Sequence, residues 1–327
     1  TDNEKPTTGR WCGPSRNCVA RISAHCQLPV VGCQFFIEME NTVTAREFRV
    51  SHLPTVLQPL TAEAIGMALD AGRILRRRFR TAMAVTVKGP ADIVTAADME
   101  AQSLIVRRLR RRFPAHGILA EEGLDATAGT EWRWIVDPLD GTKNFARGIP
   151  SFCVSIAVER EGRVEVGVVD DPVHEELFVA VRGAGAWCNG RPIRVSEVSD
   201  LEAAFLGTGL PHRVGRFAGP VGRTFTRFAT CSLGVRDRGA GALDLCYVAC
   251  GRFDGYWEID QSPWDVAAGG LIVEEAGGLM SDFRGGPFDS FGGETVASNG
   301  KIHDQILAVL AMPGGVPKRY RPPLRRR

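Results

Sequence analysis

Trp134-Ile135-Val136-Asp137-Pro138-Leu139-Asp140-Gly141-Thr142-Lys143-Asn144-Phe145 is the stretch on which the reading of this chain turns. An apolar, strand-like run ends in two carboxylates, Asp137 and Asp140, followed at once by a glycine and a hydroxyl. A buried strand that delivers two acids into one turn is electrostatically costly unless a cation sits between them. A polar turn capped by aspartate would account for one of the two. It does not account for acidic clusters in matching contexts elsewhere.

Those clusters lie far apart in the chain. Ile93-Val94-Thr95-Ala96-Ala97-Asp98 leads into a helix, and Ile118-Leu119-Ala120-Glu121-Glu122-Gly123 ends an apolar run with paired glutamates. Asp265 falls in the first turn of a helix opened by Ser262-Pro263. Singly, each has an ordinary explanation: Asp98 as an N-cap, Glu121 as a surface acid, Ser262 and Asp265 as a capping box. Together they make an oxygen-only donor set, which selects a hard cation such as Mg2+ over zinc or copper. Carboxylates drawn close raise one another's pKa, and divalent ions reverse that. Gly141 leaves a bare N–H and Thr142 begins a helix N-terminus, the kind of end that binds phosphate oxygens. Acids that hold metal on one side and amides on the other point to metal-assisted hydrolysis of a phosphate ester. The Thr142 hydroxyl is placed to orient the attacking water.

The rest of the composition is compatible with such an enzyme. Of 327 residues, 44% are hydrophobic and 37 are glycine, which suits a globular protein with one or two sizeable cores. A formal net charge of +2 nominates neither nucleic acid nor membrane as a partner. No apolar run approaches the ~20 residues that span a bilayer, and a cytoplasmic protein is expected. Nine cysteines, an odd number, argue against a complete disulfide framework. Cys153, Cys231, Cys246 and Cys250 sit in apolar or small-residue contexts, where a thiol acts as a small hydrophobe. Cys12, Cys18, Cys26 and Cys33 crowd the start near His25, but their spacing fits no zinc ribbon or finger.

Residues 1–53 lack sustained periodicity and read as an extension outside the main fold, which is expected over 54–315 with lobes of about 54–200 and 201–315. Ala68, Ala71, Leu75 and Phe79 fall at helical spacing, and a second helix is expected from about Met99 to Phe113, closed by Pro114. Strands are expected at 152–160, 163–169, 176–181, 204–208 and 255–258, with Glu161-Gly162 and Asn189-Gly190 as hairpin turns. Helices are expected at 242–250 and from Pro263 to Glu275. The tail 316–327 is a basic run read as a solvated terminus, and the arginines between 107 and 112 as the wet face of their helix.

Two of these stretches carry a resemblance. Asp137-Pro-Leu-Asp-Gly-Thr-Lys-Asn-Phe145 and Trp264-Asp-Val-Ala-Ala-Gly269 resemble the paired signatures of the inositol monophosphatase family, and Ala120-Glu-Glu122 and Val94-Thr-Ala-Ala-Asp98 match it in order and spacing. The similarity covers residues 57 to 312. It implies an α/β (α+β) fold, a layered αβαβα sandwich of the inositol monophosphatase and fructose-1,6-bisphosphatase type. It also implies a homodimer, Mg2+-dependent phosphomonoesterase activity and inhibition by lithium. Carried over by the resemblance, Glu121, Asp137 and the Leu139 carbonyl hold one Mg2+, and Asp137, Asp140 and Asp265 a second. Glu121 reaches a weaker third ion through which Asp98, partnered by Thr142, helps activate water. Gly141 and Thr142 contact the phosphate, and Glu258 binds substrate hydroxyls. The loop that lies near the substrate ring in the family reads Gly239-Ala240-Gly241 here, so a hydroxyl is lost at Ala240. A small polyol monophosphate, inositol 1-phosphate first, is the expected substrate. Histidinol phosphate, fructose 1,6-bisphosphate and 3′-phosphoadenosine 5′-phosphate share the metal motif and are the alternatives. A reading from another class makes the protein a regulatory binding module that engages nucleic acid or an acidic protein through its basic tail.

Overall fold

The computed structural model describes residues 48–81, 85–89, 92–126, 130–211 and 214–315. Most of the expected extension, including Cys12, Cys18, Cys26, Cys33 and His25, lies outside the described residues, as does the basic tail. The boundary at residue 53 needs correction. Leu53 is buried in the first core and Phe48 and Val50 pack against it, with the Phe48 ring edge-on to Trp187 at 5.0 Å. A turn this short leaves no periodic signal in its own sequence.

Helix α1 (Gln58–Arg78) starts on a proline in its first turn and ends on three arginines, which complement the dipole there. The strands β1 (Val85–Gly89) and β2 (Asp92–Thr95) pair antiparallel. Helix α2 (Ala96–Arg112) begins before Met99, because Thr95 and Asp98 close a capping box ahead of the apolar stripe. Next come β3 (Gly117–Ala120), β4 (Leu124–Ala126), β5 (Trp132–Asp140), α3 (Thr142–Ala146), β6 (Cys153–Arg160), β7 (Arg163–Asp171), β8 (Glu176–Val181), β9 (Gly185–Cys188) and β10 (Arg191–Pro192). These strands form an eight-stranded sheet in the order β10-β9-β8-β7-β6-β5-β3-β4. Both expected hairpin turns are present, with Glu161-Gly162 at φ 48° and 84° and Asn189-Gly190 at 49° and 73°. Two successive left-handed residues give the twist that a tight hairpin needs.

The second half contains β11 (Phe205–Thr208), α4 (Val214–Cys231), β12 (Gly234–Asp237), α5 (Gly241–Ala249), β13 (Gly255–Ile259), α6 (Pro263–Glu275), β14 (Leu279–Ser281), β15 (Glu294–Ser298) and α7 (His303–Leu310). Its five strands run β12-β11-β13-β15-β14. Sequence periodicity did not reveal α4, which carries Pro220 inside it together with several glycines. Those residues are poor helix formers, and packing overrides them here.

Strand alternation sorts the side chains into three cores. Trp134 and Val136 face α1 and α2 in the first core, while Ile135 between them faces α5 and α6 in the second. In the other sheet, Tyr256 and Ala297 join that second core, and Trp257 and Val296 join a third with α4 and α7. The layers are therefore helix pair, sheet, helix pair, sheet, helix pair, an αβαβα sandwich. The central layer packs closely. A Cβ on Gly167 of β7 would lie 2.6 Å from the Ala268 carbonyl oxygen of α6, so only glycine fits. No helix among the described residues is long and apolar enough to cross a membrane.

Candidate active site

Register brings the first acids together. Strands β3 and β5 run parallel, with Ala120 opposite Val136, so the next residue on each, Glu121 just past β3 and Asp137 within β5, falls at the same level. The Glu121 N–H donates to the Val136 carbonyl at 3.1 Å, which pins that approach. After Asp137 the pairing of β5 with β6 is broken by a bulge that ends at Asp140. The bulge turns both aspartates toward one side, as such kinks do. The Asp137 Oδ1 accepts the Leu139 N–H at 2.9 Å, which stiffens the turn from within.

These acids feel one another. Asp137 is 2% exposed; burial first, then the charges of Glu121, Asp140 and Asp265, push its carboxyl well above the usual range. Burial likewise pushes Asp140 up, with Glu121 adding to the effect. Opposing it, the Asp140 Oδ2 accepts the Ala242 N–H of the first turn of α5 at 2.8 Å.

The other two acids ride on helix starts. Asp98 is fully buried; its Oδ2 accepts from the Thr95 N–H at 2.9 Å and from the Thr95 hydroxyl at 2.5 Å. Its other oxygen, Oδ1, lies 3.1 Å from the Thr142 hydroxyl, which also lies 2.9 Å from the Leu139 carbonyl oxygen. Burial raises Asp98 to about 6, helped by the Glu122 charge and opposed by the Thr95 bonds. Asp265 repeats the design in α6, its Oδ2 accepting the Ser262 N–H at 2.7 Å. The Ser155 hydroxyl of β6 donates to the Trp264 carbonyl at 3.0 Å and ties this helix start to the first sheet. The capping explanation and the site explanation thus hold together: the cap fixes the rotamer that aims the acid.

Gly141 has φ 88°, and a Cβ there would lie 2.7 Å from the Ser151 carbonyl oxygen, so glycine is required. Helix α3 has five residues. A single turn has little macrodipole, and what it presents is its unpaired N–H groups. Asn144, a motif residue with no role assigned by the sequence, connects this turn to the second lobe. Its Nδ2 donates to the Ser151 carbonyl at 2.8 Å and to the Arg238 carbonyl at 2.7 Å. A polar residue two places after Thr142 was the only clue available.

Above the turn opens a cleft of about 320 Å³ that reaches Asp140, Asp265, Gly239, Ala240 and Glu258. The end of β11 and the segment after it contribute Thr208, Gly209, Leu210 and Pro211 to its wall, which Gly239 also lines. His212 and Arg213 lie outside the described residues. Ala240 is 1% exposed. Burial pushes Glu258 up to about 8, against a hydrogen bond from the Tyr256 hydroxyl that lowers it. Among the described residues, no three carboxylate, imidazole or thiol groups form a closed ligand cluster. What has assembled is a set of acids in mutual repulsion, with oxygen donors only. That is the environment a hard divalent cation would relieve, so the residues fit Mg2+.

Comparison with known proteins agrees with this geometry. The model of the inositol monophosphatase family matches residues 56–312. The chain is 42% identical over 269 residues to the Nus factor SuhB of Pseudomonas aeruginosa, which covers 78% of this chain and 96% of that one. It is 43% identical over 252 residues to the inositol-1-monophosphatase of Mesorhizobium japonicum, covering 75% of this chain and 94% of the relative. The inositol monophosphatase structure from Anabaena superposes with a TM-score of 0.73 at 40% identity, over 80% of this chain and 98% of that one. A structure of an IMPase/NADP phosphatase complexed with Mg2+ and phosphate superposes with a TM-score of 0.72 at 28% identity, over 82% and 100%. The chain belongs to the inositol monophosphatase family, whose members are phosphoric monoester hydrolases.

Proposed function

We propose that the protein hydrolyses a small polyol monophosphate, inositol 1-phosphate in the first place, in an Mg2+-dependent reaction. The observation that carries this reading is that Asp137 feels the charges of Glu121, Asp140 and Asp265, and that Asp140 and Asp265 line a cleft that Glu258 also lines. Glu121, Asp137 and the Leu139 carbonyl would hold one ion, and Asp137, Asp140 and Asp265 a second, with Glu121 also reaching a weaker third. When bound, Mg2+ supplies charge neutralisation, polarisation of the phosphoryl oxygens and a lowered pKa for water. Gly141 and Thr142 then orient the phosphate through their N–H groups. Asp98 holds the Thr142 hydroxyl at the edge of the acid cluster, where the pair can take up the proton of an attacking water. Glu258 accepts a hydroxyl of the leaving alcohol, and the Gly239-Ala240 segment shapes the pocket around it.

The test is phosphate release with Mg2+ from inositol 1-phosphate, histidinol phosphate, fructose 1,6-bisphosphate and 3′-phosphoadenosine 5′-phosphate, with Asp137→Asn as the inactive control. Inositol 1-phosphate is expected to give the highest kcat/KM; turnover of none of the four would overturn the reading. Glu258→Gln should disturb polyol preference more than the hydrolysis of an aryl phosphate. Equal losses on both would remove Glu258 from substrate recognition. A homodimer, expected from the family, is testable by light scattering.

That the Pseudomonas relative is a Nus factor favours a second role beside catalysis. In that reading the basic tail engages an anionic partner. A salt-titrated RNA-binding assay with and without residues 316–327 tests it, since phosphate contacts give a steep salt slope that truncation would abolish.

A further inference from the structure

The Glu121 carboxylate is carried by a segment that gets little support from its own sheet. Residues 121–123 form the tip of the hairpin between β3 and β4, where Ala120 pairs with Leu124. Strand β4 has three residues, the last two of them exposed, and it is the outermost strand of the sheet. A short strand at a sheet edge is held from one side only and opens readily. Within the tip, the Gly123 N–H donates to the Glu121 carbonyl at 2.8 Å. Gly123 takes a left-handed φ of 79°, as the last residue of a three-residue hairpin loop does. The bond from the Glu121 N–H to Val136 attaches the first residue of the tip to β5. Glu122 is attached from the other side, by helix α2.

Gln102 makes that second attachment. Its Oε1 accepts the Glu122 N–H at 3.0 Å, and its Nε2 donates to the Glu122 carbonyl at 3.0 Å. One side-chain amide thus meets both backbone groups of a single residue, the exchange that a strand partner makes in an antiparallel ladder. Only a group with a donor and an acceptor side by side can do this. Gln102 is 8% exposed and lies one helical turn after Asp98, on the same face of α2. The buried face of α2 is apolar except for these two residues, and Ala97, Ala101, Ile105 and Leu109 fix it in the first core. Asp98 reaches the Thr142 hydroxyl, and the Glu122 charge is felt at Asp98. A single turn of helix therefore holds one acid by its own cap and the tip that bears another by an amide.

We infer that Gln102 is a positioning residue for the metal site: by clamping the Glu122 backbone, it fixes where Glu121 presents its carboxylate relative to Asp98 and Asp137. This role rests on the Mg2+-dependent reading of the acid cluster and deepens it by naming a residue outside the donor set that governs its geometry. Gln102 carries no charge, and its amide oxygen faces the Glu122 N–H rather than the cluster. Without the amide, the tip keeps its bond to Val136 and loses its tie to α2. Glu121 then has to be ordered as the ion binds instead of beforehand, and that ordering is subtracted from affinity. Supporting groups behind metal ligands commonly make a tenfold or greater difference, in affinity or in activity.

The experiment titrates Mg2+ into the full chain by calorimetry. Alongside it run melting without metal and the Mg2+ concentration that half-saturates hydrolysis of an aryl phosphate. Gln102→Met keeps the reach of the side chain and removes both bonds. Its Mg2+ affinity is expected to fall about tenfold, with half-saturating Mg2+ rising in parallel and kcat at saturating Mg2+ falling far less. Gln102→Asn keeps an amide but shortens it by a methylene, and should lose nearly as much. Thr61→Val is the control: it removes a buried side-chain bond to the Leu57 carbonyl in the same core. That variant should melt earlier without any change in Mg2+ affinity. An affinity within about twofold of the unaltered chain in Gln102→Met, whatever its melting temperature, would overturn the positioning role; should that variant not fold, Gln102→Asn decides by the same measure. An equal loss of affinity in Thr61→Val would also overturn it, by tracing the effect to general destabilisation. Absence of Mg2+ binding and of Mg2+-dependent hydrolysis in the unaltered chain would instead overturn the metal reading beneath it.

Discussion

The two ends of the cleft are made in opposite ways. The acid cluster is made of side chains that the backbone delivers: two parallel strands in register, one bulge, and two helix caps. The wall around Glu258 depends as much on side chains that are missing, since Gly209 and Gly241 leave the space that Glu258, Tyr256 and Gln261 fill. A cluster of the first kind resists substitution because its acids are locked by backbone N–H groups and caps, near in sequence for Asp98, Asp137 and Asp265 and distant for Asp140. A wall of the second kind can be retuned by adding or removing a few atoms. Chemistry common to a family belongs at the first end, and discrimination between alcohols at the second.

The sharpest way to break this contrast is Asp137→Asn, where loss of about a thousandfold in kcat is expected because a ligand shared by both proposed ions is neutralised. Removing one carboxylate also relieves repulsion, so the metal-free variant should be at least as stable as the unaltered chain. Melting with and without Mg2+ checks this. At saturating metal the unaltered protein should gain about 2–3 kcal/mol by linkage, and the variant much less. Survival of activity within a few-fold would show that the acids do not act as one unit.

The same substitution at two glycines sharpens the comparison next. Gly141→Ala forces a left-handed alanine against the Ser151 carbonyl oxygen, and should cost about 2 kcal/mol or more of stability, measured by urea unfolding. Gly209→Ala meets a side-chain end, the Glu258 carboxylate, and no backbone. Its expected effect on stability is below about 1 kcal/mol, while the preference for polyol over aryl phosphate falls. Equal stability losses at the two positions would erase the distinction between a delivered cluster and an accommodated wall.

The distinction also explains what could be read from the sequence. Asp137, Asp140 and the Thr95–Asp98 and Ser262–Asp265 caps are local patterns, so the cluster was visible as separate fragments before any fold was known. Their meeting was not. The pairing of Ala120 with Val136 is a tertiary fact, and only the family resemblance supplied it in advance. Asn144, Tyr256 and Gln261 act across the lobes or around a turn, and no spacing rule singles out a glutamine before a Ser-Pro helix start. Helix α4 stayed hidden for another reason, since Pro220 contradicts its own local propensity, and burial of Phe217, Val221 and Phe228 decides the outcome. The segment at Phe48–Leu53 is too short for periodicity to mark it, and its place in the fold comes from packing against the first core.

The smallest effect concerns pH and lies in the second sheet, away from both ends of the cleft. His303 bridges two strands: one ring nitrogen is 2.8 Å from the Ser281 hydroxyl of β14, and the other 2.9 Å from that of Ser298 in β15. Burial holds its pKa below the ordinary 6.5, only partly offset by the Asp304 charge. The neutral ring is therefore the form the fold prefers. Above about pH 6.5 both folded and unfolded chains carry it neutral and its stabilisation is complete. As pH falls below that value the unfolded chain takes the proton first, and stability declines until the folded pKa is reached. The slope cannot exceed about 1.4 kcal/mol per pH unit for one group. His303→Gln retains a donor and an acceptor but cannot titrate. Its urea midpoint should therefore change less between pH 7.5 and 5.5 than that of the unaltered chain. An identical pH dependence in both would mean that protonation at this bridge does not reach the stability of the second sheet. Acid sensitivity would then have to come from the carboxylate end of the cleft instead.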